Sequence, residues 1–157
     1  MAGSVEVIEF EVPKRYVYIE QRGPYFQLGD AMNRLFSVPS IFSIMGSDSK
    51  LLAIWLDDPD VVPHDKLRSH IGVFVPEISK IPDQALEGYI SAGRYAKMTI
   101  RGSYGTVPES WHFFYSVWLP HSGERARHGF PGFEVYVNNP GEVEREDLIT
   151  ELYIPLQ

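Results

Sequence analysis

Arg15-Tyr16-Val17-Tyr18-Ile19-Glu20-Gln21-Arg22-Gly23-Pro24-Tyr25 has a second version in the same chain, Arg94-Tyr95-Ala96-Lys97-Met98-Thr99-Ile100-Arg101-Gly102-Ser103-Tyr104. The two stretches share Arg-Tyr, a five-residue spacer and Arg-Gly-x-Tyr, at an offset of 79 residues in a chain of 157. The same offset pairs Val73-Phe74-Val75-Pro76 with Leu152-Tyr153-Ile154-Pro155. A unit that repeats once and fills the chain reads as one duplicated domain, with a groove where the copies meet, and not as a solenoid array. The expected copies run over about residues 5–80 and 88–157.

Working outward from the repeat, Val5 to Glu11 and Arg15 to Arg22 alternate as strands, and Gly23-Pro24 punctuates the second. Tyr25, Leu28, Ala31, Met32 and Leu35 keep helical spacing. Residues 38–50, with Pro39 and Gly46-Ser47-Asp48-Ser49, read as a loop; residues 51–56 and 69–75 read as strands. In the second copy residues 82–88 form a connector and residues 93–100 a strand. Thr106-Val107-Pro108-Glu109 reads as a capping box opening a helix that Pro120 stops, with strands at 133–137 and 151–155 to follow. The fold class is α+β: two pseudo-symmetric strand-helix-strand-strand units, antiparallel sheet with helices on one face, and a central groove.

Lys and Arg number 14 against 21 acids, a net charge of −7, which argues against a nucleic-acid footprint. Cysteine is absent, which removes disulfides, thiolate metal sites and cysteine nucleophiles. No leader pattern and no membrane-length apolar run is present, so the expected location is the cytoplasm. Nucleotide-loop, serine-elbow and zinc-protease signatures are missing. His64, His70, His112, His121 and His128 show no paired ligand spacing, so no metal and no cofactor is expected, and no catalytic residue is assigned. Aromatic residues make up 13% of the chain, a surplus suited to a ligand pocket.

One carboxylate stands apart. Glu134 lies within Phe133-Glu134-Val135-Tyr136-Val137, an otherwise apolar or aromatic strand, on the same face as Tyr136. Its counterpart at the 79-residue offset is Trp55. A carboxylate buried among rings is costly unless paired, and is poised for a cation or for proton transfer.

Gly23-Pro24-Tyr25, Trp55-Leu56-Asp57-Asp58-Pro59, Lys66-Leu67-Arg68, Gly93-Arg94-Tyr95, Trp118-Leu119-Pro120-x-Ser122-Gly123 and Phe133-Glu134-Val135-Tyr136-Val137-Asn138-Asn139 together resemble the GyrI-like family. That family includes the DNA gyrase inhibitory protein and the effector-binding domains of Rob-type AraC and MerR-type multidrug regulators. The resemblance implies a stand-alone binding module for hydrophobic, cationic small molecules, with Glu134 in an aromatic groove. It also implies Tyr136 and Tyr153 as groove residues, and Trp55, Trp111 and Trp118 as further candidates. Two other readings stay open: a hydrolase of strained, cyclopropane-bearing toxins using the same glutamate, and a DNA gyrase inhibitor or protein-interaction protein. A transcription regulator is a further possible partner, while direct nucleic-acid binding and membrane association are not expected.

Overall fold

The computed structural model describes residues 3–46 and 49–157, apart from the side chain of Phe26. Met1 and Ala2 of the leader reading, and Ser47 and Asp48 of the expected loop, lie outside the described residues. The strands are β1 (Ser4–Phe10), β2 (Lys14–Arg22), β3 (Leu51–Trp55), β4 (Arg68–Phe74), β5 (Leu86–Ile90), β6 (Gly93–Arg101), β7 (Phe133–Tyr136) and β8 (Ile149–Pro155). The α-helices are α1 (Leu28–Phe36), α2 (Ile41–Ile44), α3 (Val107–Phe113) and α4 (Leu119–Ser122). Each copy therefore has the expected strand-helix-strand-strand order, and α2 adds a turn of helix inside the expected 38–50 loop.

The chain forms two compact units, residues 12–92 and residues 1–11 with 93–157. In the first, β5, β2, β4 and β3 are antiparallel neighbours in that order. In the second the order is β1, β6, β8 and β7, again antiparallel. The repeat makes β2 the counterpart of β6, β4 of β8 and β3 of β7. The leading strands are exchanged: β1 precedes β2 in the chain but pairs with β6, while β5 precedes β6 but pairs with β2. Part of the expected 82–88 connector is therefore strand. Its composition hides this, because Leu86-Glu87-Gly88-Tyr89 is mostly exposed at an edge and lacks a buried alternation.

In the 12–92 unit α1 packs on β2 and β4 with Ala31 and Leu35 fully buried. Val17, Ala53, Ile71 and Val73 are inaccessible in the same unit. Arg15 is buried as well. Its guanidinium donates to the carbonyls of Pro76, Glu77 and Ser79 at 2.7–2.9 Å and pairs with Glu87 at 2.5 Å. These bonds tie the segment after β4 back to β2, and satisfy a charge that would be costly to bury alone.

In the other unit one face of β6 and β8 presents Ala96, Met98, Leu152 and Ile154 to Val107 and Phe114 of the helical segment, with Trp111 and Trp118 packed alongside. The opposite face carries Phe10, Tyr95, Phe133 and Tyr153 as a ring cluster, with centroids 4.7–6.3 Å apart. The helix differs from expectation at both ends. Thr106 forms no capping box: its hydroxyl donates instead to the Ser103 carbonyl at 2.8 Å, within a 3-10 turn over Tyr104–Thr106. Pro120 does not stop the helix either. Residues Phe114–Trp118 form a π-helical turn, and α4 continues through Pro120 to Ser122. A widened turn shifts the hydrogen-bond ladder, so a residue without an N–H is accommodated there. The stop is Gly123 at φ +80°, a left-handed conformation that glycine adopts without strain.

Candidate functional site

All four residues of β7 are buried. Glu134 sits opposite Leu152 in the β7–β8 register, which places it on the face that the helical segment covers. It is 4% exposed. Trp111, projecting from α3, donates its indole N–H to Glu134 Oε1 at 2.7 Å. Tyr136, two residues along the strand and so on the same face, donates its hydroxyl to Oε2 at 2.5 Å. Both carboxylate oxygens thus accept from neutral aromatic donors, which answers part of the cost of burying the group.

The local sequence makes this arrangement possible. The Trp111 ring stacks with those of Phe114 and Tyr115, with centroids 6.0 and 5.6 Å away. Gly132 precedes β7 where a Cβ would fall 2.9 Å from the Tyr115 hydroxyl and 3.1 Å from the Trp111 ring, so glycine lets the strand come this close. Tyr104, from the 3-10 turn before α3, meets the Tyr136 ring edge to face at 5.6 Å. Burial first, then the Glu134 charge and its hydrogen bond, raise the Tyr136 hydroxyl well above its ordinary pKa, so it stays a neutral donor. Burial, then the charges of Glu134 and Glu142, raise Tyr104.

The structure brings Glu134, Tyr136 and Trp111 together. It sets Tyr153 on the other face of the β7–β8 pair, because Tyr153 is opposite Phe133 in the register. There its ring stacks on Phe133 at 4.7 Å and its hydroxyl donates to Glu151 at 2.9 Å. Trp118 packs edge-on against Phe114 at 5.5 Å and belongs to the helix-side core. Trp55 ends β3 in the 12–92 unit, where Tyr25 lies on it at 4.6 Å. The Tyr25 hydroxyl lies 2.7 Å from the Asp57 carbonyl and 3.0 Å from the Arg68 carbonyl, as a donor, and accepts from the Asp57 N–H at 3.0 Å.

Tyr104 escaped sequence reasoning as a site residue, although it closes the Arg-Gly-x-Tyr signature of the repeat. It also lines a cleft of about 930 Å³ formed between residues 103–105 and residues of the 140–148 loop. Among the described residues no group of three or more His, Asp or Glu side chains is placed to hold a metal ion. No helix among them is long and apolar enough to cross a membrane. What the geometry offers is a buried carboxylate framed by aromatic rings.

The family profile described as the GyrI-like small molecule binding domain matches residues 4–157. The chain is 36% identical over 110 residues to the DNA gyrase inhibitor of Salmonella typhimurium, covering 68% of each protein. Its fold is similar to that of the EcmrR C-terminal domain, with a TM-score of 0.76, 12% identity and coverage of 100% of this chain and 99% of that one. It is also similar to SAV2435 bound to tetraphenylphosphonium, with a TM-score of 0.71, 13% identity and coverage of 98% and 94%. The profile match over nearly the whole chain places it in the class of small-molecule-binding domains. It belongs to the GyrI-like family.

Proposed function

We propose that this protein is a binding module for hydrophobic organic cations, with Glu134 as the counter-charge and Tyr136 and Trp111 as the residues that frame it. The observation that carries the reading is the 4% exposed Glu134 carboxylate, held on both oxygens by uncharged aromatic donors. Such a group keeps its orientation, and the ring faces around it add cation–π attraction of about 0.5–2 kcal/mol. The tetraphenylphosphonium bound to SAV2435 supports the ligand class. Trp118 is proposed as a support for the helix that carries Trp111. Titration of tetraphenylphosphonium, against neutral triphenylphosphine oxide, into wild type and Glu134→Gln tests this. Selective loss of the cation supports the reading, and equal affinities for both proteins reject it.

A second reading rests on the 36% identity to a protein named DNA gyrase inhibitor. On that reading the chain binds gyrase and lowers its activity. A supercoiling assay with purified gyrase, run with and without the chain, separates it from the first. Inhibition in the absence of any small molecule favours the gyrase role.

A further inference from the structure

Tyr104 stands between two environments. On one side its ring meets Tyr136, whose hydroxyl holds Glu134. On the other it lines the cleft of about 930 Å³, together with the 140–148 loop. The charges that act on its hydroxyl come from both sides, Glu134 behind it and Glu142 in the cleft wall. Its counterpart in the first copy, Tyr25, is fastened by hydrogen bonds to Asp57 and Arg68. Among the described residues the Tyr104 hydroxyl makes no hydrogen bond. The same signature position is therefore anchored in one copy and held by ring packing alone in the other.

We propose that the cleft is the entrance to the Glu134 site and that Tyr104 is its gate. The inference rests on the reading of Glu134 as the cation site. Rotation of the Tyr104 side chain toward the cleft uncovers the Tyr136 ring and the Glu134 carboxylate behind it, with no hydrogen bond to break. Glu142 and Glu144, outweighing Arg145 in the cleft wall, raise the local concentration of cations at this entrance. A gate that touches the ligand in passing alters how fast the site fills and empties more than how tightly it holds. Tyr104 is then a residue that determines which ligands enter by size.

The test follows tetraphenylphosphonium binding by stopped-flow tryptophan fluorescence in wild type, Tyr104→Phe, Tyr104→Ala and Gly141→Phe, with Glu134→Gln as the affinity control. Gly141 lines the cleft, and a Cβ there meets nothing within 4 Å, so a ring at this position fills the entrance without disturbing the core. Tyr104→Ala is expected to raise association and dissociation rates together, by about tenfold, as when a conformational step before binding is removed. Tyr104→Phe keeps the ring and the wild-type rates. Gly141→Phe lowers both rates by a similar factor. If neither Tyr104→Ala nor Gly141→Phe changes the rates while Glu134→Gln still weakens binding, ligand arrives by another route and the gate is wrong. If Tyr104→Ala speeds dissociation alone, Tyr104 is a wall of the site and the gate is equally wrong. Absence of any binding by wild type removes this inference and the cation reading together.

Discussion

Trp111 and Glu134 are joined by a 2.7 Å hydrogen bond from the indole nitrogen of a helix to a carboxylate in a strand 23 residues further on. The bond spans two elements that the chain brings together only by folding. It makes Trp111 the donor that fixes Glu134, in addition to a ring wall.

Glu134→Gln retains the volume and removes the charge. Affinity for tetraphenylphosphonium should fall by about 2–5 kcal/mol, the loss typical of one partner of a desolvated charge pair. Affinity for triphenylphosphine oxide should change far less. Calorimetric titration of both ligands checks this, and similar losses for the two would place Glu134 outside the binding site.

Trp111→Phe removes the indole donor and leaves Glu134 Oε1 short of one hydrogen bond. Stability should fall by roughly 1–3 kcal/mol, the cost of an unsatisfied buried polar group. Urea unfolding of wild type and variant measures it. In a Glu134→Leu background, which has no acceptor, the same substitution should cost less, and full additivity would mean that the hydrogen bond contributes nothing.

Two groups should give stability an acid-side dependence in separate windows. Burial lowers the pKa of His70 from its ordinary 6.5, helped by Arg68 and opposed by Glu20. The unfolded chain then binds that proton first, so stability falls as pH drops from about 6.5 toward the lower folded value. His70→Gln should flatten this step. The hydrogen bond from Arg68, at 2.9–3.0 Å, holds the Asp57 carboxyl below its ordinary 3.8. Its contribution is present above that value and is lost as pH falls through the folded pKa, so Asp57→Asn should change only the lower window. Thermal melts between about pH 3 and pH 8 separate the two. A step on the acid side of 6.5 that survives in His70→Gln would assign it to another group.

Removing the first eleven residues deletes β1, the edge strand that pairs with β6, along with Phe10 against Tyr95 at 4.9 Å. The truncated chain should unfold at clearly lower urea concentration than the full chain, because β6 loses a whole ladder and its ring cluster is uncovered. An unchanged midpoint would show that β1 contributes no stability to the unit it completes.

The 79-residue repeat was enough to read two strand-helix-strand-strand copies, since local alternation and helical spacing survive in each copy. The stretch around Glu134 was equally readable: one acid in an apolar strand draws notice, and a period of two places it with Tyr136. The exchange of β1 and β5 was not readable, because strand pairing is a long-range choice and these edge strands bury too little to mark a partner. Nor could sequence separate Tyr153 from Glu134. Both lie in buried strands, and only the pairing of Phe133 with Tyr153 decides that they face opposite ways. Thr106 and Pro120 misled for a related reason: capping and proline rules describe an isolated helix, while here a 3-10 entry and a π-helical turn reset its ends. Tyr104 is legible in the sequence as the last residue of the repeat. Its difference from Tyr25 came from tertiary structure, which gave one hydroxyl three backbone partners and the other a ring to lean on. Periodicity and composition are local properties that a chain carries before it folds, whereas the partners of a side chain exist only once distant segments have met.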